Sequence, residues 1–166
     1  MSNENKYDLI MFGATGFTGK LVCEYINSKY SDSLNWAIAG RNRDKLDNVS
    51  NELGLSVPTI DLDSNNESHV ENVLKQTRLI LTTVGPYQLY GNEIIKKCAE
   101  LGVHYVDLSG EPGWMHLMNE HKAQAQQSGA KIVHSCGFDS IPSDLGVLFL
   151  QNEAKNKYGK PYANVK

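Results

Sequence analysis

Three glycines follow an apolar run near the start of the chain, in the segment YDLIMFGATGFTG. The run at residues 7–12 is typical of a buried strand, and residues 18–30 are typical of a helix. A strand, a glycine turn and a helix in this order predict a βα unit whose backbone amides face a phosphate. In that interpretation Gly13 takes the tight turn, Gly16 admits a pyrophosphate and Gly19 lets the helix pack close to the strand.

The same glycines allow a second interpretation, in which they only permit a sharp strand-to-helix connection. Their spacing, GxxGxxG, differs from the GxGxxG that is most typical of NAD-binding sheets. The loop also lacks the GK[ST] ending of a Walker loop, so it does not indicate an NTPase. The choice between a turn and a phosphate site therefore depends on the rest of the chain.

Apolar segments rich in β-branched or aromatic residues alternate with helical segments along the 166 residues. This alternation is typical of βαβ units, and a composition of 40% hydrophobic and 21% charged residues is ordinary for a globular domain. We expect an α/β fold, doubly wound, with a mainly parallel six-stranded sheet and helices on both faces. The predicted strands are residues 7–12, 35–40, 57–61, 78–84, 104–108 and 131–134.

Capping residues and glycine stops bound the predicted helices. These helices cover residues 18–30, 44–53, an amphipathic segment that begins at 64–66, and residues 92–101, 114–127 and 140–151. Residues 152–166 turn polar and contain glycine and proline, which is typical of a linker. We therefore divide the chain into a nucleotide-binding domain at 1–151 and a linker at 152–166. We expect the natural polypeptide to continue beyond this segment.

The end of the second strand bears on the choice of nucleotide. A site for NAD favours Asp or Glu there, which accepts hydrogen bonds from the ribose 2′-hydroxyl. The chain has Arg41, Asn42 and Arg43 instead, and a guanidinium group binds a 2′-phosphate through charge-assisted hydrogen bonds. NADP is therefore favoured over NAD. Arg43 and Lys45 also fit an exposed helix face, and Asp61 either borders the adenine or caps the next helix.

The fourth predicted strand closes with the segment LTTVGPYQLYG. Residues at this point lie beside the pyrophosphate and the nicotinamide ribose in a doubly wound sheet. The hydroxyl groups of Thr15 and Thr18 add donors to the glycine loop. The predicted cofactor-binding residues are Gly13, Thr15, Gly16, Phe17, Thr18, Gly19, Arg41, Asn42, Arg43, Asp61, Thr83, Val84, Gly85 and Pro86.

Charge and cysteine content exclude several other classes. A net charge of −3 and a pI near 5.9 do not favour a nucleic-acid partner. No apolar run is long enough to span a membrane, but peripheral membrane association stays open. Three widely spaced cysteines fit reduced thiols in the cytoplasm. His116 and His121 are five apart, and His134 with Cys136 is too sparse a set for zinc, so we predict no metal site.

Five segments taken together resemble a known family. Read in order, GATGFTG, AGRNRDKL, VGPYQLYG, YVDLSGE and CGFDSIPSDLG resemble the N-terminal part of the saccharopine dehydrogenase-like oxidoreductases, which include trans-acting enoyl reductases of lipid assembly. The resemblance covers about residues 7–150. It implies a Rossmann-type domain that binds NADP or NAD, followed by a second domain that shapes the substrate site and often makes a homodimer. Members range from true reductases to proteins with no assigned substrate.

Hydride transfer needs an oriented nicotinamide and a group that supplies or removes a proton. Asp139 and Ser140 could border the nicotinamide, or they could cap the following helix. Tyr25 and Lys29 match YxxxK of short-chain dehydrogenases, but they fall on the first helix, where a packed tyrosine and an exposed lysine are the better interpretation. The side chains expected at the carboxyl ends of the strands are Tyr87, Asp107, Ser109, Glu111, Cys136, Asp139 and Asp144. The catalytic candidates are Tyr87, Asp139 and the neighbouring Ser140.

The sequence favours an NADP-dependent oxidoreductase that transfers a hydride to a small enoyl, imine or keto substrate. The alternative is a non-catalytic NADP-binding or redox-sensing module with a fold related to short-chain dehydrogenases. A third interpretation, a partner-binding domain with an empty nucleotide site, conflicts with the intact glycine loop. Fold-level analogy does not identify the substrate.

Overall fold

All six predicted strands form, and they lie parallel in one sheet. The computed structural model describes residues 6–165, so the first five residues of the predicted domain and Lys166 lie outside the described residues. The strand order is β3-β2-β1-β4-β5-β6, which confirms the predicted doubly wound α/β fold. The strands are β1 (Tyr7–Phe12), β2 (Trp36–Gly40), β3 (Thr59–Asp61), β4 (Thr77–Thr82), β5 (His104–Asp107) and β6 (Ile132–Val133).

Eight α-helices connect and follow these strands within the described residues. Several ends have the expected chemistry: the Asn42 and Asn66 side chains each accept a hydrogen bond from a first-turn amide, and Gly102 and Gly129 end helices in the left-handed conformation. The helices are α1 (Phe17–Tyr30), α2 (Arg43–Glu52), α3 (Glu67–Leu74), α4 (Tyr87–Tyr90), α5 (Asn92–Leu101), α6 (Pro112–Met118), α7 (Lys122–Ser128) and α8 (Ile141–Tyr158).

Strand β1 divides its side chains between two hydrophobic cores. Ile10 and Phe12 pack on the face covered by α3, α5 and α6, whereas Leu9 and Met11 pack on the face covered by α1 and α2. All four side chains are buried, as expected for a central strand of a parallel sheet with helices on both sides. The two cores fix the sheet between its helices and hold the strand ends in place.

Several predicted boundaries are wrong. The predicted helix at 114–127 is two helices, α6 and α7, separated by a 3-10 turn at Asn119–His121. The short helix α4 was not predicted, because four residues are too few to show a helical period. The last helix continues to Tyr158, seven residues into the predicted linker, and ends at Gly159 in the left-handed conformation. The division into a domain and a linker otherwise stays a prediction.

Helix α8 is the least buried long element. Ala154 is its one buried residue among those described, and Leu145, Leu148 and Phe149 are 52%, 55% and 63% exposed. Despite this apolar surface, none of the helices in residues 6–165 is both long and apolar enough to cross a membrane. The helix therefore presents apolar side chains that the described part of the chain does not cover.

Candidate dinucleotide-binding site

The carboxyl ends of the strands meet at one edge of the sheet. Phe12, the last residue of β1, is in register with Ala39 on β2 and with Thr82 on β4, and Thr82 is in register with Asp107 on β5. The strand order changes direction between the neighbouring strands β1 and β4, because the chain continues from β1 to β2 and β3 on one side and from β4 to β5 and β6 on the other. A crevice therefore opens beyond the ends of β1 and β4. Ligands of doubly wound sheets bind in this crevice.

Two of the three loop glycines are required by the fold itself. Gly13 has φ of +101°, and a Cβ there would lie 2.8 Å from both Thr83 Oγ1 and Val84 Cγ2. A Cβ on Gly19 would lie 2.0 Å from the Gly13 carbonyl oxygen, so α1 approaches the loop too closely for any side chain. These glycines bring α1 and the β4 loop against the end of β1, and they would be needed even without a ligand.

Gly16 differs, because the protein leaves space around it. Its φ is −81°, it is exposed, and a Cβ there would meet only the Gly13 carbonyl oxygen at an ordinary 3.5 Å. Packing therefore does not explain a glycine at this position. The first helical hydrogen bond runs from the Lys20 amide to the Gly16 carbonyl, so the amides that precede it in α1 have no partner inside the helix. A phosphate group fits this arrangement, since its approach needs both a bare backbone and free amides.

The other predicted residues of the loop lie on its exposed side. Thr15, Phe17 and Thr18 are all exposed, and the Phe17 ring is 83% exposed. The exposure of Thr15 and Thr18 makes their hydroxyl groups accessible to a ligand. The structure thus brings all six predicted loop residues to the strand edge.

The residues after β2 have three different environments. The Asn42 side chain caps α2 by accepting a hydrogen bond from the Lys45 amide at 2.9 Å. Arg43 lies 3.7 Å from Asp47 and 3.8 Å from Asp61, so its charge is shared with two carboxylates. Arg41 is exposed, and its guanidinium carbon lies 5.5 Å from the centre of the Tyr90 ring. Of the two arginines, Arg41 is the one with no ion pair among the described residues.

The β4 loop contacts the glycine loop directly. The Thr83 amide donates a hydrogen bond to the Phe12 carbonyl at 3.0 Å, and its hydroxyl lies 3.4 Å from the Gly13 carbonyl. The Val84 amide donates to the Thr82 hydroxyl at 3.1 Å. The bond between Gly85 and Pro86 is cis, and both residues are exposed at the sheet edge.

Tyr87 does not face the crevice. Its side chain is 5% exposed, and its hydroxyl donates to the Thr82 carbonyl at 3.2 Å and accepts from the Leu108 amide at 3.4 Å. Burial raises the pKa of this phenol to about 12, even though the hydrogen bond from Leu108 acts in the opposite direction. The placement gives Tyr87 a structural function, so we do not retain it as a candidate for proton transfer.

Glu111 anchors the start of α4. Its two carboxylate oxygens accept hydrogen bonds from the Tyr87 amide at 2.7 Å and the Gln88 amide at 3.0 Å. The Glu111 amide in turn donates to the hydroxyl of the buried Ser109 at 3.1 Å. The loop after β5 therefore fixes the loop after β4, which the sequence did not predict.

Asp107 is the most highly hydrogen-bonded carboxylate at this edge. It is buried, and it accepts from the Tyr105 hydroxyl, the Ser109 amide and the Ser135 amide at 2.8 to 2.9 Å, while His134 Nδ1 lies 2.7 Å away. Burial acts to raise the pKa of Asp107, but the hydrogen bonds, with that of His134 the largest, lower it overall. Ser135 has φ of +59°, a left-handed conformation that directs its amide to the carboxylate.

The segment after β6 is hydrogen-bonded to Asp107 at its start and is exposed farther along. The Cys136 amide donates to the Asp107 carbonyl at 2.7 Å, and burial is the largest cause that raises the pKa of the exposed Cys136 thiol. Asp139 and Asp144 are exposed, and the Ser140 side chain makes no capping hydrogen bond at the start of α8. Capping by Ser140, the structural alternative to a ligand contact, is therefore wrong.

The YxxxK match of Tyr25 and Lys29 lies away from this edge. Tyr25, expected to be packed, is 57% exposed and lies edge-on to Tyr30 with 6.1 Å between the ring centres, while Lys29 is exposed as predicted. Both residues are on α1, away from its first turn. Within residues 6–165, no three or more His, Cys, Asp or Glu side chains are grouped so that they could hold a metal ion.

Known proteins resemble the chain over most of its length. It is 40% identical over 164 residues to a lipid droplet localized protein of Caenorhabditis elegans, and 38% identical over 167 residues to a saccharopine dehydrogenase-like oxidoreductase of Mus musculus. These alignments cover 93% and 92% of the chain but 38% and 39% of the relatives. A Mycobacterium tuberculosis protein whose name proposes a trans-acting enoyl reductase is 39% identical, with 90% and 36% covered.

A solved structure and a family of domains agree with the fold. The apo saccharopine dehydrogenase (L-Glu forming) of Saccharomyces cerevisiae superposes with a TM-score of 0.76 at 18% identity, over 90% of the chain and 32% of that protein. At this identity the likeness shows the fold alone. The saccharopine dehydrogenase NADP binding domain matches residues 9–133, a span that contains the glycine loop, Arg41 and the β4 loop. The chain therefore belongs to the saccharopine dehydrogenase NADP-binding domain family.

Proposed function

We propose that this chain is the dinucleotide-binding part of an NADP-dependent oxidoreductase that transfers a hydride to an enoyl, imine or keto group. The observation that carries the proposal is the space around Gly16, at the carboxyl end of β1. No protein contact requires a glycine there, and the space is open to a ligand. The family match and the names of the relatives support an oxidoreductase. The chain spans less than two fifths of those relatives, so the activity of the whole protein is part of the proposal.

The pyrophosphate would be held by the start of α1. The amides of Phe17, Thr18 and Gly19 precede the first helical hydrogen bond and carry the positive end of the helix dipole. Thr15 and Thr18 would add hydroxyl donors. No acidic residue lies in the first turn of α1, so nothing there opposes an anion.

The 2′-phosphate would be bound by Arg41. Its guanidinium is exposed next to the end of β2 and does not pair with a carboxylate in the described part of the chain. Arg43 is less suited, because Asp47 and Asp61 already share its charge. This contrast supports NADP over NAD and assigns the preference mainly to Arg41.

The nicotinamide end would lie between the β4 loop and the segment after β6. When bound, the cofactor supplies the hydride. Thr83 and Val84 would border the ribose, and we propose the exposed Asp139 and the half-buried Ser140 beside the reacting centre. Asp107 and Glu111 would act through the backbone they hold, since their oxygens are occupied by protein donors.

Cofactor preference tests the proposal. The dissociation constants of NADPH and NADH are measured by fluorescence titration for the full-length protein and for Arg41→Ala, with Arg43→Ala as the matched control. We expect Arg41→Ala to lower the NADPH preference by roughly tenfold or more, because charge-assisted hydrogen bonds to the phosphate are lost. Arg43→Ala should change the preference much less. An unchanged preference in Arg41→Ala would reject the assignment.

Turnover separates the proposal from its alternatives. Oxidation of NADPH by the full-length protein with enoyl, imine and keto substrates supports the oxidoreductase. Binding of NADPH without turnover on any of them supports the non-catalytic NADP-binding or redox-sensing module instead. Absence of binding leaves the partner-binding domain. Substitutions Asp139→Asn and Ser140→Ala then test the reacting centre, since they should reduce turnover while the NADPH dissociation constant stays the same.

We also propose a cytoplasmic location, contact with lipid surfaces and a homodimer. Three free cysteines among the described residues support a reducing compartment. The name of the C. elegans relative and the exposed apolar side chains of α8 support association with lipid, and through it a function in lipid metabolism. The dimer rests on the family resemblance alone. Flotation of the full-length protein with lipid droplets tests the lipid contact, and its sedimentation tests the homodimer.

A further inference from the structure

Arg41 and Arg43 differ in how their donors are used. Arg43 directs its guanidinium nitrogens to the carboxylates of Asp47 and Asp61. Arg41 instead lies over the ring of Tyr90, 5.5 Å from its centre, which is within the range of a cation–π contact. A ring face attracts the cation but does not occupy the N–H groups in the guanidinium plane. Arg41 is thus held in place while its hydrogen-bond donors stay free.

The residue that holds Arg41 is itself fixed. Tyr90 is the last residue of α4, whose first amides bind the Glu111 carboxylate. The Gly91 amide donates to the Tyr87 carbonyl at 2.7 Å, and a Cβ on Gly91 would lie 2.5 Å from the Trp114 ring. The backbone beside Tyr90 therefore cannot shift without disturbing the core.

Tyr90 also borders a polar cavity. The cavity has a volume of about 400 Å³, and Ser64, Asn65, Glu67 and Glu93 line it together with Tyr90. The Ser64 side chain is buried, and its hydroxyl has no hydrogen-bond partner in the described part of the chain. Unpartnered buried hydroxyls are uncommon in folded proteins. The carboxylates of Glu67 and Glu93 in this cavity disfavour an anion, so we expect the phosphate on the Arg41 side of the Tyr90 ring.

We propose that Tyr90 is a positioning residue that sets the preference for NADP by holding Arg41 ready for the 2′-phosphate. The inference rests on the proposed function, in which Arg41 binds that phosphate. An exposed arginine loses side-chain freedom when it binds an anion. The Tyr90 ring restricts that freedom before the cofactor arrives, so more of the phosphate interaction is expressed as affinity. NADH lacks the 2′-phosphate and gains nothing from this arrangement.

The test is a double-mutant cycle in the full-length protein. The dissociation constants of NADPH and NADH are measured for the wild type, Tyr90→Leu, Tyr90→Phe, Arg41→Ala and Tyr90→Leu combined with Arg41→Ala. Leucine keeps apolar volume but removes the ring face, whereas phenylalanine keeps that face. Leu89→Ala, at the exposed neighbouring residue, is the matched control, and thermal midpoints establish that each variant is folded.

We expect Tyr90→Leu to weaken NADPH binding about three- to tenfold and to leave NADH binding within about twofold. Tyr90→Phe should keep the wild-type preference, and Tyr90→Leu should have no further effect once Arg41 is alanine. A preference that falls in Arg41→Ala but not in Tyr90→Leu overturns the inference and leaves the proposed function intact. Equal losses for both cofactors, or a loss that persists without Arg41, also overturn it. A preference unchanged in Arg41→Ala defeats both proposals.

Discussion

Glu111 and Tyr87 are 24 residues apart in sequence, yet the Glu111 carboxylate accepts a hydrogen bond from the Tyr87 amide at 2.7 Å. The second oxygen of the same carboxylate binds the Gln88 amide. One side chain thereby satisfies the first two amides of α4 and ties the loop after β4 to the loop after β5. The predicted cofactor edge thus depends on a residue that is not itself placed to touch the cofactor.

Glu111→Gln should destabilise the protein by about 1–3 kcal/mol. The amide side chain keeps one acceptor oxygen, but its NH2 group faces a backbone donor, so one amide of α4 loses its partner. Urea denaturation of the full-length protein measures the change in the free energy of unfolding. Glu120→Gln is the matched control, because Glu120 is exposed and no side-chain hydrogen bond caps the 3-10 turn in which it lies. Equal effects of the two substitutions would contradict the role of Glu111.

Gly19→Ala and Gly16→Ala should act on different properties. A methyl group at residue 19 collides with the Gly13 carbonyl, so we expect a loss of about 1–3 kcal/mol in the free energy of unfolding. A methyl group at residue 16 fits the protein, so stability should change by less than about 1 kcal/mol while NADPH binding weakens roughly tenfold or more. Thermal melts and NADPH titration on both variants check this separation. A Gly16→Ala protein that binds NADPH as the wild type does would contradict a phosphate at this position.

Asp107 should make stability depend on pH below about 4. Its pKa in the folded protein is lower than in the unfolded chain, where an aspartate has a pKa of about 3.9. The stability this carboxylate contributes is therefore complete above the unfolded value and is lost as the pH falls through the folded one. Wild type should be more stable than Asp107→Asn at about pH 7, and the difference should shrink toward about pH 3. Urea midpoints across this range measure it, and a constant difference would mean that Asp107 does not titrate in this way.

Cys136 should be the first of the three thiols to react with an alkylating reagent. Burial raises the pKa of Cys23 to about 12 and raises that of Cys98 as well, and both side chains are buried. Cys136 is exposed, but partial burial of its thiol and the nearby Asp107 charge raise its pKa too. Its reaction should therefore need a more alkaline pH than that of a free cysteine. Peptide mapping by mass spectrometry after brief treatment with iodoacetamide identifies the labelled residue. Early modification of Cys23 or Cys98 would show that the helices carrying them open.

Local periodicity was enough to predict the elements that lie in the cores. Strand β1 and helix α5 have the predicted bounds, because each combines a clear apolar pattern with a definite stop. Tertiary contacts decided the other boundaries. The helix predicted at 114–127 is interrupted at Asn119–His121, and no proline or glycine there signals the break. Helix α8 continues past the predicted end because Glu153, Ala154 and Lys155 are good helix formers even where the composition is polar.

The candidate site was predictable where it depends on backbone shape. Glycine spacing between a strand and a helix located the loop, and the parallel topology brought the β4 loop against it. The sequence favoured Arg41, which directly follows the strand, because Arg43 also fits an exposed helix face. It could not predict the partners on other elements that separate the two arginines, Tyr90 and Asp61. It also missed His134 as a partner of Asp107. Strands β5 and β6 are neighbours in the sheet, and a prediction of the strand order is the signal that could have paired the two residues.

The space around Gly16 has a practical value in genetics. A strain that carries Gly16→Ala in place of the natural gene would contain the polypeptide at its ordinary abundance, because nothing in the fold opposes a methyl group there. A gene deletion removes the polypeptide together with everything that associates with it. Comparing the two strains therefore separates phenotypes caused by loss of the proposed cofactor binding from phenotypes caused by the missing polypeptide.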